Sequence, residues 1–341
     1  MQYSGIGRRV LSYTSNVYNA CKCTLRKSSD QAAFSKKVMN RFPENIVFAF
    51  AYGSGISPQE GSDIKDNMID LVFAVEDSRR WHSENLKRNP TDYSAMRFLG
   101  PAAITHLQTK VGASVYYNTL VPFEDRLIKY GVIEADDLAK DLTEWNTLYL
   151  SGRLHKPITM LKEPNADLRS LYSQNLLSAA EMALLLLPEK FRESDFFETI
   201  AAFSYTGDFR MTYGEHPRKI QNIVKGNLNG FRTMYAPSIE DLVERCVLST
   251  ASDGTMSQSK DIEVLQRLCD GLPSNLQRVT VSGSRDRVYT PLEIQKGMAR
   301  IVKWSSLIQS AKGLPTAGFF KSAEYLGAKL RKYYKADQKK S

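Results

Sequence analysis

Apolar and polar positions follow two different periods along this chain, and the periods separate predicted strands from predicted helices. Residues 45–55, "NIVFAFAYGSG", are continuously apolar up to a glycine-containing turn, which is typical of a strand buried on both faces. Residues 67–75, "NMIDLVFAV", are predicted to form a second strand. Because successive strand side chains point to opposite faces, Asp70 shares one face with Met68 and Val72. The opposite face carries three apolar residues: Ile69, Leu71 and Phe73.

Helical spacing and two more strands follow in the first half of the chain. The predicted elements are a helix at residues 81–110, two strands at 113–123 and 126–133, and an amphipathic helix at 136–152. The first of these helices is broken at Pro90 and near Gly100-Pro101. Strands mixed with helices in this order predict a mixed α/β domain over about residues 35–155.

The second half of the chain has mainly helical spacing. From Asp167 onwards we predict three helices, at residues 166–188, at 193–205 and starting at 219. Residues 246–300 are weakly patterned, and we predict helix and loop there. Residues 318–341 place apolar side chains on one helical face and lysine and arginine on the others, which is typical of a membrane-surface helix. A helix docked on the protein with a solvated basic tail is the alternative.

Composition points towards an anionic partner. The chain has 341 residues, a formal net charge of +9 and a pI of about 9.2. This balance favours a nucleotide, a nucleic acid or an acidic lipid without choosing among them. No segment approaches the roughly 18 apolar residues of a membrane-spanning helix. The cysteines match neither a zinc motif nor a disulfide scaffold, which favours a reducing compartment; they are Cys21, Cys23, Cys246 and Cys269.

The first 29 residues have a composition of their own. They contain no Asp or Glu and many Ser and Thr, and five of them are basic: Arg8, Arg9, Lys22, Arg26 and Lys27. A basic, serine-rich and acid-free segment is typical of a mitochondrial transit segment. An ordinary basic first helix is the alternative.

The turn between the first two strands indicates a phosphate site. The backbone of Gly53-Ser54-Gly55 can approach a ligand closely, and its amides and the Ser54 hydroxyl can bind phosphate oxygens. Asp70 on the next strand can bind Mg²⁺ that bridges those phosphates. Met68 and Val72, two positions either side of Asp70, bind no metal, so a second metal-binding acid must come from elsewhere. The candidates are Asp63, Asp66 and Asp208. The alternative is a simple turn beside a structural acid.

Eight segments in order resemble the family of mitochondrial phosphatidate cytidylyltransferases, also called translocator assembly and maintenance proteins. They are "YGSG", "KDNMIDLVFAV", "WHSENLKRNPTDYS", "GASVYYNTL", "RLIKYGVI", "WNTLYLSGRLHKP", "SYTGDFRM" and "KGLPTAGFFKS". The resemblance implies an α+β protein whose polymerase-β-like nucleotidyltransferase domain precedes a helical, winged-helix-like domain. It implies conversion of CTP and phosphatidic acid to CDP-diacylglycerol and pyrophosphate with Mg²⁺, in cardiolipin synthesis on the matrix side of the mitochondrial inner membrane.

The resemblance also assigns ranges and residues. The expected regions are a transit segment (1–29), the nucleotidyltransferase domain (30–160), the winged-helix-like domain (161–245) and a C-terminal region (246–341). The basic helix of the C-terminal region is expected to bind the anionic membrane surface. The expected catalytic residues are Asp70, Lys65, Asp208 and Arg210, with Asp70 and Asp208 as the metal ligands. The expected substrate-binding residues are Gly53, Ser54, Gly55, His82, Asn85, Tyr93, Tyr117 and Asn118. Asp92 stands where the family commonly has His, which weakens a catalytic role there; Trp81 and Tyr93 have packing as an alternative role.

Two other functions stay open at the level of sequence. One is a nucleotidyltransferase acting on RNA, which the basic charge and the helical second domain would suit. No RNA-binding motif is present, so we expect no nucleic-acid partner. The other is a non-enzymatic factor that maintains the inner-membrane protein translocase by direct contact. The Gly-Ser turn and Asp70 argue against a pure scaffold.

Overall fold

The computed structural model describes residues 29–56, 67–208, 218–280 and 288–317. Several sequence predictions lie outside these ranges: the transit segment up to residue 28, Lys65, Arg210 and the basic helix at 318–341. They stay predictions.

A five-stranded mixed sheet forms the first half of the molecule. Its strands are β1 (Ile46–Tyr52), β2 (Ile69–Val75), β3 (Val115–Phe123), β4 (Arg126–Glu134) and β5 (Thr159–Lys162). They lie in the order β3-β4-β2-β1-β5, with β2 and β4 parallel and all other neighbours antiparallel. The sheet and the helices around it confirm an α+β protein. The short strand β5 was not predicted.

Helices account for most of the remaining described residues. In chain order they are α1 (Ser29–Arg41), α2 (Ser78–Arg88), α3 (Gly100–Lys110), α4 (Ala135–Glu144), α5 (Ser151–Leu154), α6 (Ala166–Leu186), α7 (Glu193–Ala202), α8 (Lys219–Gly226), α9 (Leu228–Glu244), α10 (Ile262–Asp270), α11 (Ser274–Thr280) and α12 (Pro291–Ala317). The predicted breaks at Pro90 and Gly100-Pro101 are confirmed, because two 3-10 turns, Pro90–Asp92 and Ala95–Leu99, separate α2 from α3.

The two faces of the sheet are covered by different helices. Ile69, Leu71 and Phe73 pack with α1 and α2, in a cluster that includes the fully buried Trp81. Val72 and Ala74 belong to the larger cluster on the other face, which extends through α4 and α6. The predicted pleat of β2 is therefore confirmed. Asp70 follows the parity of Val72 and so belongs to the face that meets the second half of the chain.

Two sequence predictions about the rest of the chain were wrong. The helix predicted at 136–152 ends at Glu144, because Trp145 adopts a left-handed conformation (φ 53°) and the chain turns. Residues 246–300, predicted as helix and loop, also contain strands β7 (Leu248–Thr250) and β8 (Thr255–Gln258). These pair with β6 (Lys190–Arg192) in a second sheet of order β6-β8-β7. Strands this short leave little periodicity to read.

Helix α12 returns from the second half of the chain to the first sheet. The Gln309 side chain accepts from the Ala113 amide at 3.2 Å and donates to the Val115 carbonyl at 3.1 Å, on the outer edge of β3. The Lys312 ammonium donates to the Gln108 and Val111 carbonyls at 2.9 and 2.7 Å. Within the residues that the structure describes, no helix has the length and apolar character needed to cross a bilayer.

Candidate functional site

The Gly53–Gly55 turn lies directly over the Asp70 carboxylate. Gly53 has a φ of +81°, and a Cβ at this position would stand 3.5 Å from Asp70 Oδ2. A Cβ on Gly55 would meet the Met68 carbonyl oxygen at 2.4 Å, so the turn packs tightly against the start of β2. Glycine is therefore required at both positions for a turn that approaches the carboxylate this closely.

Arg126 holds the two ends of the segment that follows the turn. Its guanidinium donates to the Gly55 carbonyl at 3.2 Å and to the Asn67 carbonyl at 2.7 Å. The Asn67 amide donates to the Ser54 carbonyl at 3.3 Å. These bonds fix the position of the turn relative to β2 and β4.

A lysine on the neighbouring parallel strand pairs with Asp70. Asp70 and Lys129 are in register on β2 and β4, and the ammonium lies 3.6 Å from Asp70 Oδ1. Both side chains keep some exposure, at 25% and 19%. The same ammonium lies 4.5 Å from the centre of the Tyr117 ring, within cation–π range. The pair is thus a partly open, charged group at the edge of an otherwise apolar face.

Two tyrosines connect Asp70 with an arginine. The hydroxyls of Tyr52 and Tyr117 lie 3.3 Å apart, and Tyr52 is directly opposite Asp70 in the β1–β2 pairing. The Arg153 guanidinium lies 5.4 Å from the Tyr52 ring centre and 3.7 Å from that of Tyr149. Burial raises the pKa of the Tyr52 hydroxyl and the Asp70 carboxylate adds to this effect. Burial likewise raises the pKa of Tyr117 well above its ordinary value. Both phenols are neutral donors at neutral pH.

A second group of cations extends the site towards the second half of the chain. The Lys156 ammonium donates to the Gly152 carbonyl at 2.6 Å and to Ser204 Oγ at 2.7 Å. Lys156 and Lys219 lie 5.0 and 4.8 Å from the centre of the Tyr205 ring. Removal from water lowers the pKa of Lys156 well below its ordinary value, and Arg153 and Lys219 lower it further. An anion placed here would relieve the repulsion among these cations.

The Asp141 carboxylate positions the loop that carries Arg153. It accepts hydrogen bonds of 2.7–3.0 Å from five donors: the amides of Thr147, Leu148, Leu150 and Ser151 and the Thr147 hydroxyl. Asn175 on α6 fixes the same loop by accepting from the Trp145 indole at 2.8 Å and donating to the Ser151 carbonyl at 3.2 Å. The loop, and with it Arg153 and Lys156, is thereby held by groups from both halves of the chain.

Asp208 lies at the end of the second cationic group. It is buried, and its amide donates to the Tyr205 carbonyl at 3.0 Å. Gly207 has a φ of +82°, and a Cβ there would meet the Ala299 carbonyl oxygen of α12 at 2.6 Å. The structure therefore places Asp208 beside Tyr205 and next to the contact between Gly207 and α12. Joint metal binding by Asp70 and Asp208 stays a prediction.

Three predicted substrate-binding residues lie instead in a buried network on the opposite face of the sheet. His82 contacts the Tyr93 hydroxyl through Nδ1 and the Gln108 amide oxygen through Nε2, both at 2.8 Å. The Asn85 amide donates to the hydroxyls of Tyr93 and Tyr130, each at 3.0 Å. Burial lowers the pKa of His82 to about 4, so the ring is neutral at physiological pH.

Asp92 also belongs to this network. It accepts from the Tyr130 hydroxyl at 3.0 Å and forms an ion pair of 2.6 Å with Arg41. Asn118 is fully buried and directly opposite Tyr130, whereas its neighbour Tyr117 points to the Asp70 face. These contacts give the network a packing role, and contact between substrate and His82, Asn85, Tyr93 or Asn118 stays a prediction.

The structure thus brings together part of the predicted site and adds residues that the sequence reasoning missed. The turn, Asp70 and Tyr117 lie together as expected. The added residues are Tyr52, Lys129, Tyr149, Arg153, Lys156, Tyr205 and Lys219. Lys129 had a usable signal, because "RLIKYGVI" places a charge within a buried strand just as "NMIDLVF" does. The others depend on how the strands, helices and loops that carry them meet in the fold, which one sequence does not reveal.

The donor set around Asp70 fits magnesium only with help from a ligand. In the described parts of the chain, no three His, Cys, Asp or Glu side chains cluster to hold a metal. Mg²⁺ is commonly bound by one or two carboxylates together with substrate phosphates and water. A single, partly exposed carboxylate beneath an open glycine turn suits that arrangement and does not suit a permanently bound ion.

Comparisons with known proteins give one consistent result. A family model described as "Phosphatidate cytidylyltransferase, mitochondrial" matches residues 35–332. The chain is similar to proteins of that name from Danio rerio (41% identity, covering 91% of this chain and 97% of the relative), Bos taurus (43%, covering 88% and 94%) and Drosophila melanogaster (39%, covering 88% and 98%).

Proposed function

The chain belongs to the family of mitochondrial phosphatidate cytidylyltransferases, and on that premise we propose that Asp70 and the Gly53–Gly55 turn bind the triphosphate of CTP together with Mg²⁺. The enzyme converts CTP and phosphatidate to CDP-diacylglycerol. The observation that carries the proposal is the 3.5 Å approach of the Gly53 position to Asp70 Oδ2. It supports a site in which phosphate and carboxylate share one ion.

The chemistry of the reaction suits a site that consists of charges and positioning groups. The attacking group is a phosphate monoester, which is already anionic near neutral pH, so no strong general base is needed. When bound, Mg²⁺ supplies positive charge to the phosphates of CTP. The protein contributes alignment of the two phosphates and neutralisation of their charge, which are the main terms in phosphoryl transfer.

We assign the two cationic groups to two parts of the reaction. Lys129, beside Asp70, neutralises charge on the nucleotide phosphates. Arg153, Lys156 and Lys219 bind the phosphate of phosphatidate and hold it for attack on the α-phosphorus of CTP. The lowered pKa of Lys156 supports this assignment, because the group gains a stabilising partner when a phosphate dianion arrives. Lys65 and Arg210 are proposed to add charge to the same phosphates.

The arrangement of elements supports the finer fold assignment. The first sheet carries the Gly-Ser turn between antiparallel strands β1 and β2, with the acid on β2, which is the plan of polymerase-β-like nucleotidyltransferases. The second half contains a helical unit with the element order α6-β6-α7-α8-α9-β7-β8. Its first strand pairs with its last, so that its small sheet has the strand order β6-β8-β7. We propose that this unit is a winged-helix-like domain and that the substrates lie between it and the first sheet.

The enzyme is mitochondrial, like its relatives, and its lipid substrate requires contact with a membrane. We propose that it works on the matrix side of the inner membrane, attached peripherally, and supplies CDP-diacylglycerol for cardiolipin synthesis. The basic residues of 318–341 support attachment to anionic lipid, since each Lys or Arg near such a surface contributes about 1 kcal/mol. The acid-free first 29 residues support import through a transit segment.

Cytidylyl transfer from labelled CTP to phosphatidate in vesicles tests the assignments. We expect lipid-extractable label from the parent protein and none from Asp70→Asn, while circular dichroism and unfolding of the variant remain close to those of the parent. Lys156→Met is expected to raise the KM for phosphatidate more than the KM for CTP. Asp136→Asn, an exposed acid in the first turn of α4, is the matched control and should behave as the parent. Parent-like turnover by Asp70→Asn would exclude Asp70 from the site.

A further inference from the structure

Large apolar side chains are exposed on two neighbouring elements of the molecule. On the 3-10 turn Ala95–Leu99, Phe98 and Leu99 are 77% and 64% exposed. On α12, Trp304 and Leu307 are 65% and 49% exposed. The turn packs against α12, so the two pairs belong to elements that are in contact. Together with the cations beside them, Arg97 and Lys303, they are called the α12 patch below.

Helix α12 has a complete buried face and a separate exposed face. Its buried face contacts the rest of the protein through nine buried side chains: Ile294, Met298, Ile301, Val302, Ser305, Ser306, Gln309, Lys312 and Thr316. The exposed face is not needed for this packing, yet it carries Trp304 and Leu307 where polar residues would serve solubility better. Exposed aromatic and aliphatic side chains that lie together mark an interaction surface more often than isolated ones do.

The exposed charged residues of α12 and of the turn are all basic. The exposed residues of α12 include Lys296, Arg300 and Lys303 and no acid. On the turn, the Arg97 guanidinium lies 4.7 Å from the centre of the Phe98 ring. Rings with cations beside them are the composition of surfaces that sit at the boundary between lipid headgroups and acyl chains, where Trp and Phe enter the apolar layer and Lys and Arg stay at the phosphates.

The same helix contacts the candidate site. Ala299 of α12 packs against Gly207, the residue before Asp208. Trp304 follows Ala299 by five residues, which is roughly 7.5 Å along a helix. A surface that binds lipid at this position would bring the cleft close to the layer from which phosphatidate must be taken.

The composition also argues against a second copy of the chain as the partner. Stable protein interfaces bury roughly 800 Å² on each partner, contributed by about 20–30 residues, which is far more than the α12 patch contains. Two copies would also bring together surfaces of like charge, on a chain whose formal net charge is +9. Neither objection applies to an anionic bilayer, which complements the charge and accepts the apolar side chains without a matching shape.

We propose that the α12 patch docks the enzyme on an anionic phospholipid surface, with Phe98, Leu99, Trp304 and Leu307 entering the headgroup region. This is a contact made by the folded body of the protein, in addition to any made by residues 318–341. It rests on the proposed function only in that the lipid substrate lies in a bilayer, and membrane contact can be measured without turnover.

Trp304 is a built-in reporter for this contact. The chain has three tryptophans, and the other two, Trp81 and Trp145, are fully buried. Quenching of tryptophan emission by acrylamide in the full-length protein therefore reports mainly on Trp304, and Trp304→Phe identifies its share. The measurement compares protein alone, protein with phosphatidylcholine vesicles, and protein with vesicles that also contain phosphatidate. Brominated phosphatidylcholine, which quenches only tryptophans within the lipid layer, is the second probe.

We expect Trp304 to be open to acrylamide in solution and with neutral vesicles, and to become protected from acrylamide and quenched by brominated lipid on phosphatidate vesicles. The double variants Phe98→Ser/Leu99→Ser and Trp304→Ser/Leu307→Ser should each lower vesicle partitioning by roughly tenfold or more. Ile262→Ser is the matched control, since Ile262 is 69% exposed but lies between Asp261 and Glu263. Its partitioning should equal that of the parent.

Three results would overturn the proposal. Protein that sediments with vesicles while Trp304 stays open to acrylamide is held by another surface. Protection in solution that rises with protein concentration means that a second copy covers the patch, and protection independent of concentration means that the chain covers it itself. A parent protein that transfers no cytidylyl group, although its Trp304 is protected on phosphatidate vesicles, would instead count against the proposed function. That result would support this inference independently of it.

Discussion

Replacing Gly53 by alanine separates the conformational cost of the turn from its role in binding phosphate. At a φ of +81° an L-residue costs about 1–2 kcal/mol of unfolding free energy. The new methyl group would also stand 3.5 Å from Asp70 Oδ2, in contact with the oxygen and in the space above it. A phosphate bound there must move by on the order of 1 Å, a misplacement that costs roughly 100-fold in rate.

The chain supplies a matched control for this variant. Gly254, in the turn between β7 and β8, has the same φ of +81°, and a Cβ there would meet no atom within 4 Å. Gly53→Ala and Gly254→Ala should therefore lose similar amounts of unfolding free energy in urea titrations. Only Gly53→Ala should lose kcat/KM for CTP, measured as label transferred to phosphatidate vesicles under conditions where all three proteins are folded.

Two outcomes would refute this reasoning. If both variants keep parent-like kcat/KM, the Gly53 backbone does not approach the reacting phosphates. If both lose activity equally, the loss follows stability and says nothing about the site. A fall confined to Gly53→Ala, with an unchanged KM for phosphatidate, would assign the turn to the nucleotide half of the reaction.

Two further predictions follow from buried polar groups. Asn85→Ala should lower the unfolding free energy by about 2 kcal/mol or more, because two tyrosine hydroxyls lose a buried partner. The kcat/KM of the folded variant should stay near that of the parent. A selective rise in the KM for CTP would show substrate contact instead. Burial lowers the pKa of Lys312 from 10.5 to about 7, so between pH 7 and 10 the unfolded chain binds more protons than the native protein. The unfolding free energy of the parent, relative to Lys312→Met, should then rise by up to about 1.4 kcal/mol per pH unit through that window; an equal difference at pH 7 and pH 9 in urea titrations would contradict it.

The predictable part of the site is the part that a local pattern encodes. An acid within an apolar strand and two glycines around a serine are both visible in one sequence, and the alternation of side chains gives the face of Asp70. The structure agrees on each of these points. The break at Pro90 is equally local, since proline cannot continue the hydrogen bonding of α2.

The remaining part depends on which distant segments meet. Asp70 and Lys129 become neighbours because β2 and β4 pair in parallel, a register set by everything folded between them. Arg153 and Lys156 reach the site because Trp145 turns left-handed, where amphipathic spacing predicts that the helix continues. His82 is the opposite case: a histidine in a recognisable motif attracts a functional reading, and the fold adds that both of its ring nitrogens contact buried neighbours. Its role in substrate binding stays a prediction.

The hydrogen bonds of Gln309 have a consequence for how the chain folds during its synthesis. The bonded carbonyl of Val115 lies 194 residues earlier, on the outermost strand of the first sheet. Until residue 309 has been made and docked, that strand presents open backbone groups on which another chain can add a strand. Chains that stop early would therefore be recognised by their tendency to aggregate, although every residue of the candidate site is already present in them. Solubility of the newly made protein therefore reports that α12 has docked.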